Sequence, residues 1–161
     1  MNNKRIPQWV ISIMIVAFFS VLSVSGEAAS SSILSRGQSV YVPVYSHIYH
    51  GNKEKPFNLT ATLSIRNTNL EKDISLQSID YFNSNGDLIR RYIQTPITLK
   101  KFATIRYIVK AKDNTGGSGA KFIVRWKSDA LVNTPLIEAI MISTQSQQGI
   151  SFVSRGQAIK E

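Results

Sequence analysis

Apolar and polar residues alternate through most of the chain after residue 37, and the pattern is most regular between residues 58 and 67. Successive side chains of a β-strand point to opposite faces, so this alternation predicts a strand with one buried face. The predicted buried positions are Leu59, Ala61, Leu63 and Ile65.

Seven further segments show strand patterns of the same kind. They are 40–44, 74–82, 88–93, 104–110, 121–127, 136–142 and 150–153. Pro43 has no backbone donor for a β-ladder, so we predict that its strand lies at a sheet edge. The apolar phase shifts by one residue near Gln77 and Ser78, which indicates a β-bulge. Residues 46–57 and 96–102 are predicted to be connections.

Two turns between strands carry strong sequence signals. Residues 83–87 read Asn-Ser-Asn-Gly-Asp, a hairpin signal because asparagine and glycine adopt positive φ at low cost. Residues 113–119 are rich in glycine, and we predict that this loop joins 104–110 and 121–127 as a second hairpin.

Many short strands without a convincing amphipathic helix predict an all-β fold. We predict an antiparallel β-sandwich of immunoglobulin-like architecture with seven or eight strands. A partly open barrel is the alternative. The predicted organisation is a signal peptide at 1–28, a linker at 29–37 and the β-sandwich domain at 38–157.

The N-terminal segment determines the expected compartment. Lys4 and Arg5 precede a nearly continuous apolar run, 9–24, and small residues follow it. This order is typical of a signal peptide, so we expect a periplasmic or secreted protein whose mature chain begins between Glu27 and Ser32. The alternative is an uncleaved membrane anchor, which would be the only expected contact with the membrane.

Composition limits the possible chemistry. The chain has no cysteine, which excludes disulfides, thiolate metal sites and cysteine nucleophiles. No Gly-x-Ser-x-Gly motif is present, and the two histidines are the only candidates for the usual general base. We therefore expect a protein that is not an enzyme and needs no cofactor.

Three longer segments suggest a family. They are Tyr41–Gly51, Gly116–Trp126 and Ser146–Gly156. Together with 58–67, they resemble the bacterial family called domain of unknown function 3124, from Arg36 to Gln157. The resemblance implies an exported bacterial domain, but it supplies no activity and no functional residues.

The two histidines, His47 and His50, are the candidate metal ligands. Their spacing of three puts them on opposite faces of a straight strand, so a shared ion would require a bend and a third ligand, such as Glu54 or Asp80. The alternative function is therefore a small periplasmic metal-binding protein. The other interpretation is that both histidines are hydrogen-bonding aromatic residues at a strand end.

Positive charge is concentrated late in the chain. If 104–110 and 121–127 pair as a hairpin, their outward residues form one basic patch on the solvent side of the sheet. Its members are Arg106, Lys110, Lys121, Arg125 and Lys127. An envelope protein or an anionic polymer is the expected partner; nucleic acid is not, because the predicted patch has no aromatic residue to stack on a base. The other interpretation is a solvated face that keeps the protein soluble.

Overall fold

The computed structural model describes residues 34–52, 54–144 and 149–160. The predicted signal peptide and the first residues of the predicted linker lie outside these ranges. The described chain contains twelve strands, β1 to β12 in chain order. They are Leu34–Val44, His47–His50, Lys55–Asn58, Thr60–Arg66, Ile74–Phe82, Leu88–Arg91, Ile97–Leu99, Thr104–Val109, Ala120–Asn133, Leu136–Ser143, Ile150–Arg155 and Gln157–Ile159. No helix long and apolar enough to cross a membrane occurs within the described ranges.

Two antiparallel sheets form a sandwich, which confirms the predicted fold class, although the described chain has twelve strands and not the seven or eight predicted. The six-stranded sheet has the order β12-β1-β9-β5-β6, with β7 also paired to β5. The four-stranded sheet has the order β11-β10-β4-β8. The strands do not close into a barrel, so the alternative fold is not the one adopted.

The core lies between the inner faces of these sheets. The four alternating apolar residues of the segment 58–67 are fully buried, as predicted. They belong to the four-stranded sheet, and Phe122, Val124 and Trp126 of β9 are buried on the inner face of the other sheet. Alternation therefore identified the buried face of each sheet correctly.

Several boundaries differ from the prediction. β1 begins at Leu34, so four residues of the predicted linker are in the strand. β1 is not an edge strand, because it pairs with β9 on one side and with β12 on the other. Pro43 itself lies outside the part of β1 that pairs with β12. The connections at 46–57 and 96–102 contain the β2–β3 hairpin and β7. The bulge predicted near Gln77 is confirmed by a register shift between Leu76 and Ser78.

Gly156 lets the chain pass from one sheet to the other between β11 and β12. Its amide donates to the carbonyl of Ile137 at 2.8 Å. A Cβ at this position would lie 2.6 Å from Val40 Cγ1, so only glycine fits without displacement.

Candidate functional site

Asp80 lies on the outer face of the six-stranded sheet, on β5, and it is buried there, with 5% of its surface exposed. Arg91 Nε lies 3.1 Å from Asp80 Oδ1, and Arg125 Nη1 lies 3.3 Å from Asp80 Oδ2. One carboxylate is therefore held between two guanidinium groups that come from the strands on either side of β5.

The turn at 83–87 and the bulge at Gln77 place these three side chains together. Asn83 Oδ1 accepts hydrogen bonds from the amides of Asn85 and Asp87, both at 2.9 Å, which fixes the β5–β6 turn. A register shift between Tyr81 and Phe82 then sets Asp80 opposite Arg91. On the other side of β5, the bulge sets Ser78 opposite Arg125, and Arg125 Nη1 donates to Ser78 Oγ at 3.3 Å.

We call Arg91, Arg125 and Lys127, together with Asp80, the arginine face. The side chains of Arg91 and Arg125 are 53% and 40% exposed, whereas that of Asp80 is 7% exposed. Two guanidinium groups share the one carboxylate of Asp80, so this cluster has a net positive charge. A guanidinium carries five donors in a planar fork that matches carboxylate, phosphate or sulfate oxygens. The arrangement is therefore suited to binding an anionic group.

The predicted pairing of 104–110 with 121–127 was wrong. β8 pairs with β4 in the four-stranded sheet, and β9 lies between β1 and β5 in the other sheet. Arg106 is therefore on the outer face of one sheet, with Lys110 directly after the end of β8, and Arg125 and Lys127 are on the outer face of the other sheet. The five residues predicted as one basic patch lie on opposite sides of the sandwich.

Lys121 is also on β9, but its ammonium group stabilises a turn. Lys121 Nζ donates to the carbonyl of Asn83 at 2.6 Å and lies 3.4 Å from the carbonyl of Ser84. The outer face also contains an aromatic residue that the prediction lacked, because Tyr41 of β1 is half-buried opposite Ile123.

Lys110 lies at a cleft between the edges of the two sheets, together with Arg90 and Asp113. Arg90 Nη2 lies 3.2 Å from Asp113 Oδ2, and its guanidinium stands over the ring of Tyr92. The hydrogen bond from the Thr115 hydroxyl and the charge of Arg90 lower the pKa of Asp113. In this cleft, Asp113 and Arg90 therefore form an ion pair with each other.

His47 and His50 are on opposite faces of the β2–β3 hairpin. His47 Nε2 lies 3.2 Å from the hydroxyl of Tyr49, whereas His50 makes an edge contact with the ring of Phe57. No group of three histidine, cysteine, aspartate or glutamate side chains within the described ranges could hold a metal ion. The structure therefore does not bring the two predicted ligands together, and Glu54 and Asp80 do not complete a site with them.

The glycine-rich loop at 116–119 crosses between the sheets, and it is not the hairpin turn that the sequence suggested. Its amides bond within the protein, since Gly117 N donates to the carbonyl of Asn114 and Gly119 N donates to Ser84 Oγ. Ser46 donates to the carbonyl of Gly117 through both its amide and its hydroxyl. These contacts hold the loop in place and use amides that an anion would otherwise need.

Sequence analysis missed Arg91 and the central role of Asp80. The signal was present, because an antiparallel return from the turn at 83–87 brings the residues after it alongside the residues before it. Counting outward from the Phe82–Leu88 pair would have placed Arg90 opposite Asp80, and a register shift between Tyr81 and Phe82 gives that place to Arg91.

The chain was compared with protein families, curated proteins and solved structures. The model of the family described as "Protein of unknown function (DUF3124)" matches residues 37–159. No curated protein matches the chain. A crystal structure of Thermotoga maritima 1070 resembles it at a TM-score of 0.46 and 7% identity, covering 74% of this chain and 92% of that one. The family match spans most of the chain, which therefore belongs to the DUF3124 family.

Proposed function

We propose that this protein is an exported, non-enzymatic β-sandwich that binds an acidic partner at the bacterial cell envelope through the arginine face. The partner is an envelope protein or an anionic polymer that presents carboxylate, sulfate or phosphate groups. Export is supported by the charged start and apolar run of the N-terminal segment.

The observation that carries this proposal is the buried carboxylate shared by two exposed arginines. A free arginine side chain loses much rotamer freedom when it binds an anion. Asp80 already restrains both Arg91 and Arg125, so part of this entropy is lost during folding and not during binding. Their exposed surfaces are therefore preorganised toward solvent.

The arginine face favours a polymer or an acidic protein surface over a small metabolite. The outer face of a sheet is open, and Lys127, which shares a cleft with Asp73 and Asp129, follows Arg125 along β9. An extended surface of this kind gains affinity from several weak ionic contacts at once, and salt screens each of them. Nucleic acid is the less suitable partner because of the expected compartment.

The experiment compares two double variants with equal loss of charge. The protein isolated from the cell envelope is first checked by intact mass spectrometry for a start between Glu27 and Ser32, and is then eluted from a heparin column with salt. Arg91→Gln with Lys127→Gln should elute at clearly lower salt than the wild type. Arg106→Gln with Lys110→Gln removes the same charge from the other sheet and should elute close to the wild type.

Equal shifts for the two double variants would mean that only net charge matters, and the arginine face would be rejected. Arg91→Gln removes one partner of the buried Asp80 carboxylate, so the melting temperature of this double variant is measured first, and Arg125 is left intact so that Asp80 keeps its other guanidinium partner. A full-length chain that starts at Met1 in the membrane fraction would replace the cleaved signal peptide with an anchor.

A further inference from the structure

One row of side chains crosses the outer face of the six-stranded sheet from β12 to β6. Residues that are paired on neighbouring strands lie on the same face, with Cβ atoms about 5 Å apart. The ladder pairs therefore define the row directly. Its members, from one edge of the sheet to the other, are Gln157, Tyr41, Ile123, Asp80 and Arg91. The arginine face is thus continuous, through Ile123, with an aromatic residue and a side-chain amide.

Tyr41 presents part of its ring on this outer face. It is directed outward because its neighbours along β1, Val40 and Val42, are buried in the core. The residues two positions away on the same face are Ser39 and Pro43, which are too small to cover an aromatic ring. Tyr41 is accordingly only half-buried. The ring provides a flat apolar surface beside the polar residues of the row.

Both guanidinium groups of the arginine face lie at this row. Arg91 belongs to it by register, and Arg125, two residues beyond Ile123 on β9, reaches back so that its Nη1 lies 3.3 Å from Asp80 Oδ2. β9 separates β1 from β5, so Tyr41 and Asp80 are two strand spacings apart, roughly 10 Å. The row therefore has an aromatic ring at one position and two restrained cations at another.

The acidic residues of the face determine where an anionic group can bind. Asp80 is the one acidic member of the row, and its two oxygens already contact guanidinium groups. Its single charge balances only one of the two cations. Farther along the face, Lys127 shares a cleft with Asp73 and Asp129, which partly balance its charge. An anionic group of a ligand is therefore favoured at the two arginines.

We propose that this row binds an acidic polysaccharide, with one sugar ring stacked on Tyr41 and the carboxylate of a linked uronic acid at Arg91 and Arg125. The apolar face of a sugar ring packs against an aromatic ring, while side chains such as Gln157 exchange hydrogen bonds with its hydroxyl groups. The distance from ring to cations exceeds the width of one sugar, which fits a polymer. This inference rests on the proposed function and narrows the partner to a carbohydrate.

A carbohydrate uses the whole row, whereas the other acidic partners use only part of it. An acidic protein needs the cations, and its flexible carboxylates gain nothing from a ring two strands away. A single-stranded nucleic acid could stack a base on Tyr41, but it carries a phosphate at every nucleotide. The cations of this row are confined to one part of it, which suits an acid group on one sugar next to a stacked ring.

The first test compares soluble polymers by calorimetry at low salt, with protein isolated from the cell envelope. The probes are oligogalacturonate, the same oligosaccharide with its carboxyl groups reduced to alcohols, polyglutamate of equal charge, and oligothymidylate. Oligogalacturonate should bind most tightly, because it alone supplies both the sugar ring and the carboxylate. Reduction of its carboxyl groups should weaken binding about tenfold or more, since the charge-assisted bonds to the arginines are lost.

Substitutions at Tyr41 separate the carbohydrate from other anions without changing charge. Tyr41→Leu keeps an apolar side chain but removes the ring, so the affinity for oligogalacturonate should fall about tenfold while that for polyglutamate stays the same. Tyr41→Phe keeps the ring and should retain most of the binding. Tyr49→Leu, at an exposed tyrosine of the β2–β3 hairpin, is the matched control and should bind like the wild type. Melting temperatures are measured for each variant.

Fluorine NMR tests the same contact without a destabilising substitution. Protein containing fluorotyrosine gives a resonance for Tyr41, which is assigned because it is missing from Tyr41→Phe. This resonance should move when oligogalacturonate is added, and it should move much less with polyglutamate. The resonance of Tyr49 should stay in place. A Tyr41 resonance that does not move at saturating oligogalacturonate would overturn the proposal even if Tyr41→Leu proves unstable.

The outcomes also distinguish this inference from the proposed function. If Tyr41→Leu weakens neither polymer, or both equally, the carbohydrate is rejected, while the arginine face stands as long as the heparin column separates the two double variants. Tighter binding of oligothymidylate than of oligogalacturonate would assign the row to nucleic acid and overturn the proposal. Equal shifts of the double variants on heparin would reject the arginine face, and the uronate site with it.

Discussion

The two ends of the sandwich meet the same backbone requirement with different residues. At the end formed by the turn at 83–87 and the loop at 116–119, positive φ occurs at Gly86 and Gly117. At the other end, formed by the loops at 67–73 and 100–103 and called here the apolar end, it occurs at Phe102. Glycine is the residue that such a conformation normally selects. A Cβ at Gly117 would lie 2.5 Å from Ser84 Oγ, so glycine also permits a close contact there, whereas Phe102 keeps a large apolar side chain at a conformational cost.

The ends also differ in how exposed their aromatic residues are. Tyr81 is fully buried beneath Gly116, and its ring lies against that of Phe122 with centroids 4.9 Å apart. Phe102 is 74% exposed although its loop is equally well connected by hydrogen bonds. Loop order alone therefore does not determine exposure. Packing accounts for the position of Tyr81, whereas Phe102 is exposed in spite of its ordered loop.

The largest effect is expected from filling the space at Gly116. A Cβ there would lie 2.7 Å from Tyr81 Cζ and 2.8 Å from Ala120 Cβ, in a fully packed region. Gly116→Ala should lower the free energy of unfolding by about 2–3 kcal/mol in urea denaturation because of overpacking. Adding Tyr81→Phe should recover part of the loss, since the hydroxyl is the group that a Cβ would meet first.

Gly149→Ala is the matched control, because no described atom lies within 4 Å of a Cβ at that position. It should change stability by no more than about 0.5 kcal/mol. Equal effects at Gly116 and Gly149 would contradict the close packing that distinguishes this end.

A smaller effect is expected from Asn67, which connects the loops of the apolar end. It is 2% exposed, and its side-chain amide donates to three backbone carbonyls while its oxygen accepts from Asn69 N at 3.0 Å. Asn67→Ala should cost about 1–3 kcal/mol, because buried carbonyls lose their donors. Thermal unfolding measures this loss, and the exposed Asn85→Ala should leave the melting temperature nearly unchanged. A neutral Asn67→Ala would mean that the apolar end does not depend on this side chain.

The sequence predicted the strands well because each strand carries its own period. The segment 58–67 is an example, since its apolar positions are all in the core. It did not predict which strands pair. The loop between β8 and β9 resembles a hairpin turn in composition, yet it crosses from one sheet to the other. Alternation is a local property of a chain, whereas the choice of sheet depends on how two inner faces pack together.

The candidate site was harder to predict for the same reason. Arg125 was expected in a basic patch, but its neighbours on the folded surface are Asp80 and Arg91. The bulge at Gln77 was predicted, and it determines part of this register. The effect of this bulge on the position of Arg125 could not be predicted without knowing that β9 pairs with β5. The β2–β3 hairpin was missed because Pro56 and mixed charges resemble a loop.

The smallest effect at neutral pH concerns the Tyr81 hydroxyl, which has no hydrogen-bond partner among the described residues. Burial, followed by the nearby charge of Asp113, raises the pKa of Tyr81 to about 12 from an ordinary value of 10.0. The folded state therefore retains its proton at pH values where the unfolded chain has lost it. The stability that this provides is complete below pH 10 and is lost as the pH rises from 10 to 12.

Tyr81→Phe removes both the unpaired hydroxyl and its titration. At pH 7 the variant should be at least as stable as the wild type, because a buried polar group without a partner is replaced by an apolar one. Between pH 10 and 12 the wild type should lose melting temperature faster than Tyr81→Phe, while the exposed Tyr49→Phe should follow the wild type. A Tyr81→Phe protein that is clearly less stable at pH 7 would show that the hydroxyl is satisfied. The glycine-loop end would then depend on a polar contact at Tyr81, as the apolar end does at Asn67, and the contrast between the two ends would be weaker.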